Sequence, residues 1–131
     1  MKTALFISPH LDDAAFSCGA TLARLAANGW RTILCTVFTK SVPRPEGFAL
    51  ACQLDKGLPP GADYMKLRRA EDYRAAKILN AGEVLHLNFA EAPHRGYGSA
   101  AELFAGIRGG DDVWRGIAEY LAMLDDVHQP D

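Results

Sequence analysis

The sequence predicts an α/β fold of the Rossmann-like, doubly wound kind, with a mainly parallel sheet in a three-layer α/β/α arrangement. Three observations predict it. Short β-branched and apolar runs alternate along the chain with longer stretches of helical periodicity. The run Thr32-Ile33-Leu34-Cys35-Thr36-Val37-Phe38 is continuous rather than alternating, as a strand buried on both faces of a parallel sheet must be. Strands joined through helices of this length need crossover connections, which pair them in parallel.

Each element has its own local reason. Thr3-Ala4-Leu5-Phe6-Ile7 reads as a buried strand, ended by Ser8-Pro9, because proline removes a ladder donor and disfavours a helical residue before it. From Gly19 to Asn28, Leu22, Leu25 and Ala26 recur at helical spacing, with Asn28-Gly29 as the stop signal. After the strand 32–38, residues 40–63 carry Pro43, Pro45, Pro59 and Pro60 and are read as a long irregular insertion. Tyr64 to Asn80 is helical, with Leu67, Ala70, Tyr73, Ala76, Ile78 and Leu79 expected to face inward. Glu83 to Phe89 reads as a third strand, and a glycine-bearing loop follows over 90–100. A short helix is expected from Ala101 to Ile107 and a longer one from Asp111 to Leu124.

At 131 residues, with 49% hydrophobic and 23% charged residues, the chain is expected to be a single α/β domain, 1–131. A formal net charge of −2 without a basic face or tail gives no indication of nucleic acid or an anionic membrane as partner. No apolar stretch is long enough for a signal sequence or a membrane span. Cys18, Cys35 and Cys52 are odd in number and widely spaced, so a reduced, cytoplasmic setting is expected. No Gly-x-Gly-x-x-Gly follows the first strand, and no Gly-x-Ser-x-Gly is present.

The chemistry concentrates where the first strand stops, at His10-Leu11-Asp12-Asp13. Imidazole and carboxylate are ligands of catalytic zinc, and His10 and Asp13 lie within one turn of each other. Asp12 projects differently, as a carboxylate beside a metal rather than on it would, where it can take a proton from water. Asp12, Asp13 or Ser17 could equally cap the next helix, and spacing alone leaves both readings open. Position adds a second argument. The His-x-Asp-Asp turn, residues 39–63 and residues 90–100 all leave carboxyl ends of strands, where open parallel sheets bind ligands. Arg68 and Glu71 sit one turn apart and read alone as a surface pair. Glu91-Ala92-Pro93-His94-Arg95-Gly96-Tyr97 gathers acid, imidazole, guanidinium and phenol, with Glu91 or Arg95 able to hydrogen-bond a polar substrate. His86 reads as a sheet histidine and His128 as a complement to a helix dipole.

At these residues the chain resembles the PIG-L/LmbE-like zinc-dependent N-deacetylases. The match rests on Ser8-Pro9-His10-Leu11-Asp12-Asp13, Ser17-Cys18-Gly19, Arg68-Arg69-Ala70-Glu71-Asp72 and the loop from Glu91 to Tyr97. The resemblance implies hydrolysis of an N-acetyl group on an amino-sugar-type substrate, with His10 and Asp13 binding Zn2+ or another divalent metal. It implies zinc-bound water as nucleophile, Asp12 as general base, and Arg68, Glu91 and Arg95 as substrate contacts. Ala14 stands where many members have Glu. The family's third ligand is a histidine in a later His-x-x-His-type motif beyond a further strand, and His128 does not match it. The expectation is therefore the N-terminal portion of a longer deacetylase fold. The alternative is a catalytically incomplete remnant or binding module of that fold. An unpaired sheet edge would then favour a homo-oligomer.

Overall fold

The computed structural model describes all residues from Met1 to Asp131. Strands β1 (Thr3–Ser8), β2 (Arg31–Thr36) and β3 (Glu83–His86) form one sheet in the order β1-β2-β3, parallel throughout. Helix α1 (Asp13–Ala27) connects β1 to β2. Helices α2 (Gly47–Asp55) and α3 (Tyr64–Ile78) connect β2 to β3. A 3-10 turn at Ala92–Arg95, α4 (Ala100–Phe104) and α5 (Val113–His128) follow.

The central strand explains the layering. Thr32, Ile33, Leu34, Cys35 and Thr36 are all buried, as the continuous run requires. Because side chains alternate, Leu34 faces Ala14, Leu22 and Ala76 on the α1 and α3 side, with Phe6 and Val84 beside it. Cys35 faces the opposite side, where Leu5, Leu85 and Leu87 meet Ile117, Leu121 and Leu124 of α5. These are the two helical layers of an α/β/α sandwich. Gly116 allows α5 its close approach, since a Cβ there would lie 3.1 Å from the Phe89 ring.

Four local expectations need correction. Helix α1 begins at Asp13 rather than Gly19, with a kink at Cys18 (φ −140°, ψ 16°) separating its first turn from its body. The insertion is not wholly irregular, because α2 occupies its centre, between the proline pairs, and buries Ala49 and Gln53. The third strand is shorter than expected, continuing past His86 only as an isolated antiparallel bridge between Phe38 and Asn88. On α3 the inward face carries Met65, Asp72 and Ala76, while Leu67, Tyr73 and Ile78 are exposed. A buried carboxylate is tolerable there because Asp72 has partners on the sheet, His86 and Thr36.

Leu22 is fully buried beneath β2. Leu22→Ala is expected to lower unfolding stability by about 2–5 kcal/mol, measured by urea denaturation.

Candidate active site

The register aligns Ser8, Thr36 and His86 at the carboxyl ends of the three strands. Val37 N–H donates to Ser8 O (2.9 Å) and Phe38 N–H to Pro9 O (3.0 Å), so the two chains leave the sheet side by side. Buried Ser8 organises the next turn, its hydroxyl donating to His10 O (2.6 Å) and accepting from Ala14 N–H (3.1 Å). One of the free amides of α1 is thereby satisfied by Ser8, and Asp12, at the N-cap position, makes no side-chain cap bond.

The adjacent carboxylates separate. Asp13 turns back on His10, its Oδ2 lying 3.1 Å from His10 Nδ1 and accepting His10 N–H at 2.9 Å. Asp12 turns the other way, with Oδ2 3.3 Å from Arg68 Nη2. Arg68 reaches across to Glu91, whose Oε1 lies 3.1 Å from Nη1, and its guanidinium sits over the Tyr64 ring. It therefore does not form the expected pair with Glu71. Charge neutralisation by two carboxylates suits a guanidinium whose side chain is only 15% exposed. Tyr64, in contact with this arrangement, has its phenol pKa raised by burial.

Arg95 approaches from the third loop. The Phe38 ring packs against both His10, at 5.6 Å between centroids, and the Arg95 guanidinium, at 5.0 Å. The guanidinium is anchored from behind by Asp111 (3.1–3.2 Å) and Ala90 O (2.6 Å). Tyr97 Oη also donates to Asp111 (2.8 Å), and these bonds hold the Asp111 carboxyl below its ordinary pKa. The six residues singled out in the sequence thus form two contact groups at the sheet edge, His10–Asp13 with Arg95 around Phe38 and Asp12–Arg68–Glu91, which adjoin where Asp12 and Asp13 are consecutive.

The insertion has a place here as well. Ala49, Cys52 and Gln53 of α2 wall a cavity of about 30 Å³, with Tyr64, Glu91 and His94 on its other sides. Such a cavity has room for a water molecule. Burial keeps the His94 imidazole below its usual pKa.

Sequence reasoning missed a second polar cluster. His86 Nε2 lies 2.8 Å from Asp72 Oδ2, both side chains being nearly buried, and Thr36 Oγ1 donates more weakly to the same oxygen (3.4 Å). Arg69 donates to Thr39 O (2.6 Å) and Ser41 Oγ (3.0 Å). The available signal was spacing, since Asp72 lies one helical turn beyond Arg68 on the same face.

His10 and Asp13 can serve as two donors to a divalent cation. Tetrahedral zinc with bonds of about 2.0–2.2 Å sets its donors roughly 3.3–3.6 Å apart, so the observed 3.1 Å needs only a small separation of the pair. No third His, Cys, Asp or Glu joins them in a metal-binding group.

The profile of the GlcNAc-PI de-N-acetylase family, PIG-L, matches residues 5–130. The chain belongs to the PIG-L family. It is 37% identical over 111 residues to 2'-N-acetylparomamine deacetylase of Streptomyces fradiae, covering 80% of this chain and 37% of that protein. A deacetylase–bog complex from the teicoplanin biosynthesis pathway superposes with a TM-score of 0.84 at 30% identity, covering 99% of this chain and 52% of the other. The zinc-inhibited form of teicoplanin deacetylase Orf2 gives 0.81 at 28% identity, with coverages of 99% and 53%. The chain thus spans between about a third and a half of these PIG-L relatives. Its parallel α/β/α architecture is theirs.

Asp111 provides a pH test of the third loop. Its folded-state pKa is depressed, so its contribution is present above the unfolded value near 3.8 and is lost as pH falls towards the lower folded value. Asp111→Asn should be less stable than wild type near neutrality. The gap should narrow below about pH 4 in denaturation curves measured at successive pH values.

Proposed function

We propose that this chain acts on the acetamide of an N-acetylated amino-sugar-type substrate at the carboxyl edge of its sheet. His10 and Asp13 would be two ligands of a divalent cation, zinc by the family reading. The observation that carries the proposal is the division of labour between neighbouring carboxylates, with Asp13 on His10 and Asp12 on Arg68. The amino-sugar class rests on the likeness to 2'-N-acetylparomamine deacetylase.

A cation held there would supply Lewis-acid polarisation of the acetamide carbonyl and a lowered pKa for water. The protein's own groups handle the rest. Asp12 accepts a proton from the attacking water and returns it to the nitrogen as the C–N bond breaks, giving amine and acetate. Arg68 keeps the Asp12 carboxylate oriented and, with Glu91 and Arg95, hydrogen-bonds the substrate's polar groups. Adding zinc to the purified chain and following acetate release tests this reading. His10→Ala should abolish zinc uptake. Asp12→Asn should retain zinc but lose roughly 10²–10⁴-fold in turnover. Equal turnover in wild type and Asp12→Asn would sink the assignment of Asp12.

A second reading has its own observation. Catalytic zinc takes three protein ligands, and the cluster supplies two. Residues 1–131 acting alone would then bind the amino sugar without turnover. Acetate release that a chelator abolishes and zinc restores eliminates this alternative.

The same proposal includes self-association in the cytoplasm. β1 is an edge strand, with Ile7 exposed, and unpaired edges promote association. Cys18, Cys35 and Cys52 are all unpaired, as in a reducing compartment. No helix is long and apolar enough to cross a membrane. Sedimentation velocity should show a dimer or larger species, and a monomer at all concentrations would refute the association.

A further inference from the structure

Beside the His10–Asp13–Arg68 cluster, the same sheet edge carries a pocket of about 340 Å³ lined by Thr39, Lys40, Ser41, Arg69, His86 and Asn88. We propose that it binds a phosphate group. Every lining side chain is polar, two are permanent cations, and none is a carboxylate. The neighbouring carboxylates are already engaged. Asp72 is held by His86 and Thr36. Asp63 accepts from Ser41 Oγ (2.6 Å) and Lys66 N–H (2.9 Å) and makes no ion pair with Arg69, though its charge still acts on that guanidinium.

Arg69 is the anchor. Its Nη1 donates to Thr39 O and Ser41 Oγ, which fixes the guanidinium plane before any ligand arrives. Its Nε and Nη2 have no protein acceptor, so N–H groups on a pre-oriented fork remain for ligand oxygens. Lys40 adds a mobile point charge. The Asn88 amide adds a neutral donor, whereas the Ser41 hydroxyl is already committed to Asp63. A dianionic tetrahedral group uses two cations and several donors more fully than a planar carboxylate does. The location follows the general rule that open parallel sheets bind ligands beyond their carboxyl ends, here those of β2 and β3. The inference concerns binding alone and does not rest on acetamide hydrolysis.

The test is titration of the full chain with inorganic phosphate, followed by calorimetry and by amide NMR. Chloride and acetate at matched ionic strength serve as controls. Saturable phosphate binding is expected, with shifts centred on residues 39–41, 69, 86 and 88. Lys40→Ala, at an exposed position, should weaken it by about five- to tenfold, and Arg69→Lys, which keeps the charge but loses the fork, by a similar factor. Lys77→Ala, on exposed α3 surface away from the lining, should leave it unchanged. Glucosamine 6-phosphate binding more tightly than inorganic phosphate would identify the group as carried on a sugar. Equal affinity would identify free phosphate, and either result upholds the pocket. Equal response to chloride or acetate, shifts centred elsewhere, or wild-type affinity in both Lys40→Ala and Arg69→Lys would overturn it.

Discussion

The alignment of the three strand ends is the constraint on which the rest depends. Ser8, Thr36 and His86 occupy one row across the sheet, so the segments that follow them depart from a common edge. A parallel sheet with this register converts distance along the chain into proximity in space. It brings residue 12 within reach of residue 68, and residue 68 within reach of residue 91. The row is polar, with Ser8 and Thr36 buried and the His86 side chain nearly so, and each member supports the edge beyond it. Ser8 shapes the His10 turn, while Thr36 and His86 receive Asp72 from α3.

Asp72 in turn explains why α3 can present guanidinium groups inward. A helix anchored to the sheet by a carboxylate has its rotation about its own axis set, and Arg68 and Arg69 then project towards two neighbouring parts of the same edge. Arg68 goes to Asp12 and Glu91, and Arg69 to Thr39 and Ser41. One helix thereby serves two polar clusters. A purely apolar interface would tolerate slippage more readily than a hydrogen-bonded pair of near-buried groups, whose separation would leave both unsatisfied.

How much of this was legible in the sequence follows from what each signal encodes. The unbroken run 32–38 revealed the buried central strand, and proline at position 9 marked the end of the first. The His10–Asp13 turn was legible because its residue types are unusual directly after a strand. Hydrophobic periodicity failed on α3, because its inward face uses Asp72 where an apolar residue was expected, leaving Leu67, Tyr73 and Ile78 outside. Helix α2 was hidden by the prolines around it, although none lies between Gly47 and Asp55. The partners of Arg68 could not be read from local spacing, because Asp12 and Glu91 are distant in sequence and the nearby Glu71 was the only local candidate.

The interruption of α1 at Cys18 has a mechanical meaning for Asp13, which precedes it. An unbroken helix transmits a displacement of its first turn along the whole hydrogen-bond ladder, and here that ladder would pull on Leu22 in the core. With residue 18 outside helical geometry, the turn from Asp13 to Ser17 is a short lever on its own pivot. A few tenths of an ångström of travel at Asp13 can be taken up at that pivot, while the body of the helix stays seated on the sheet.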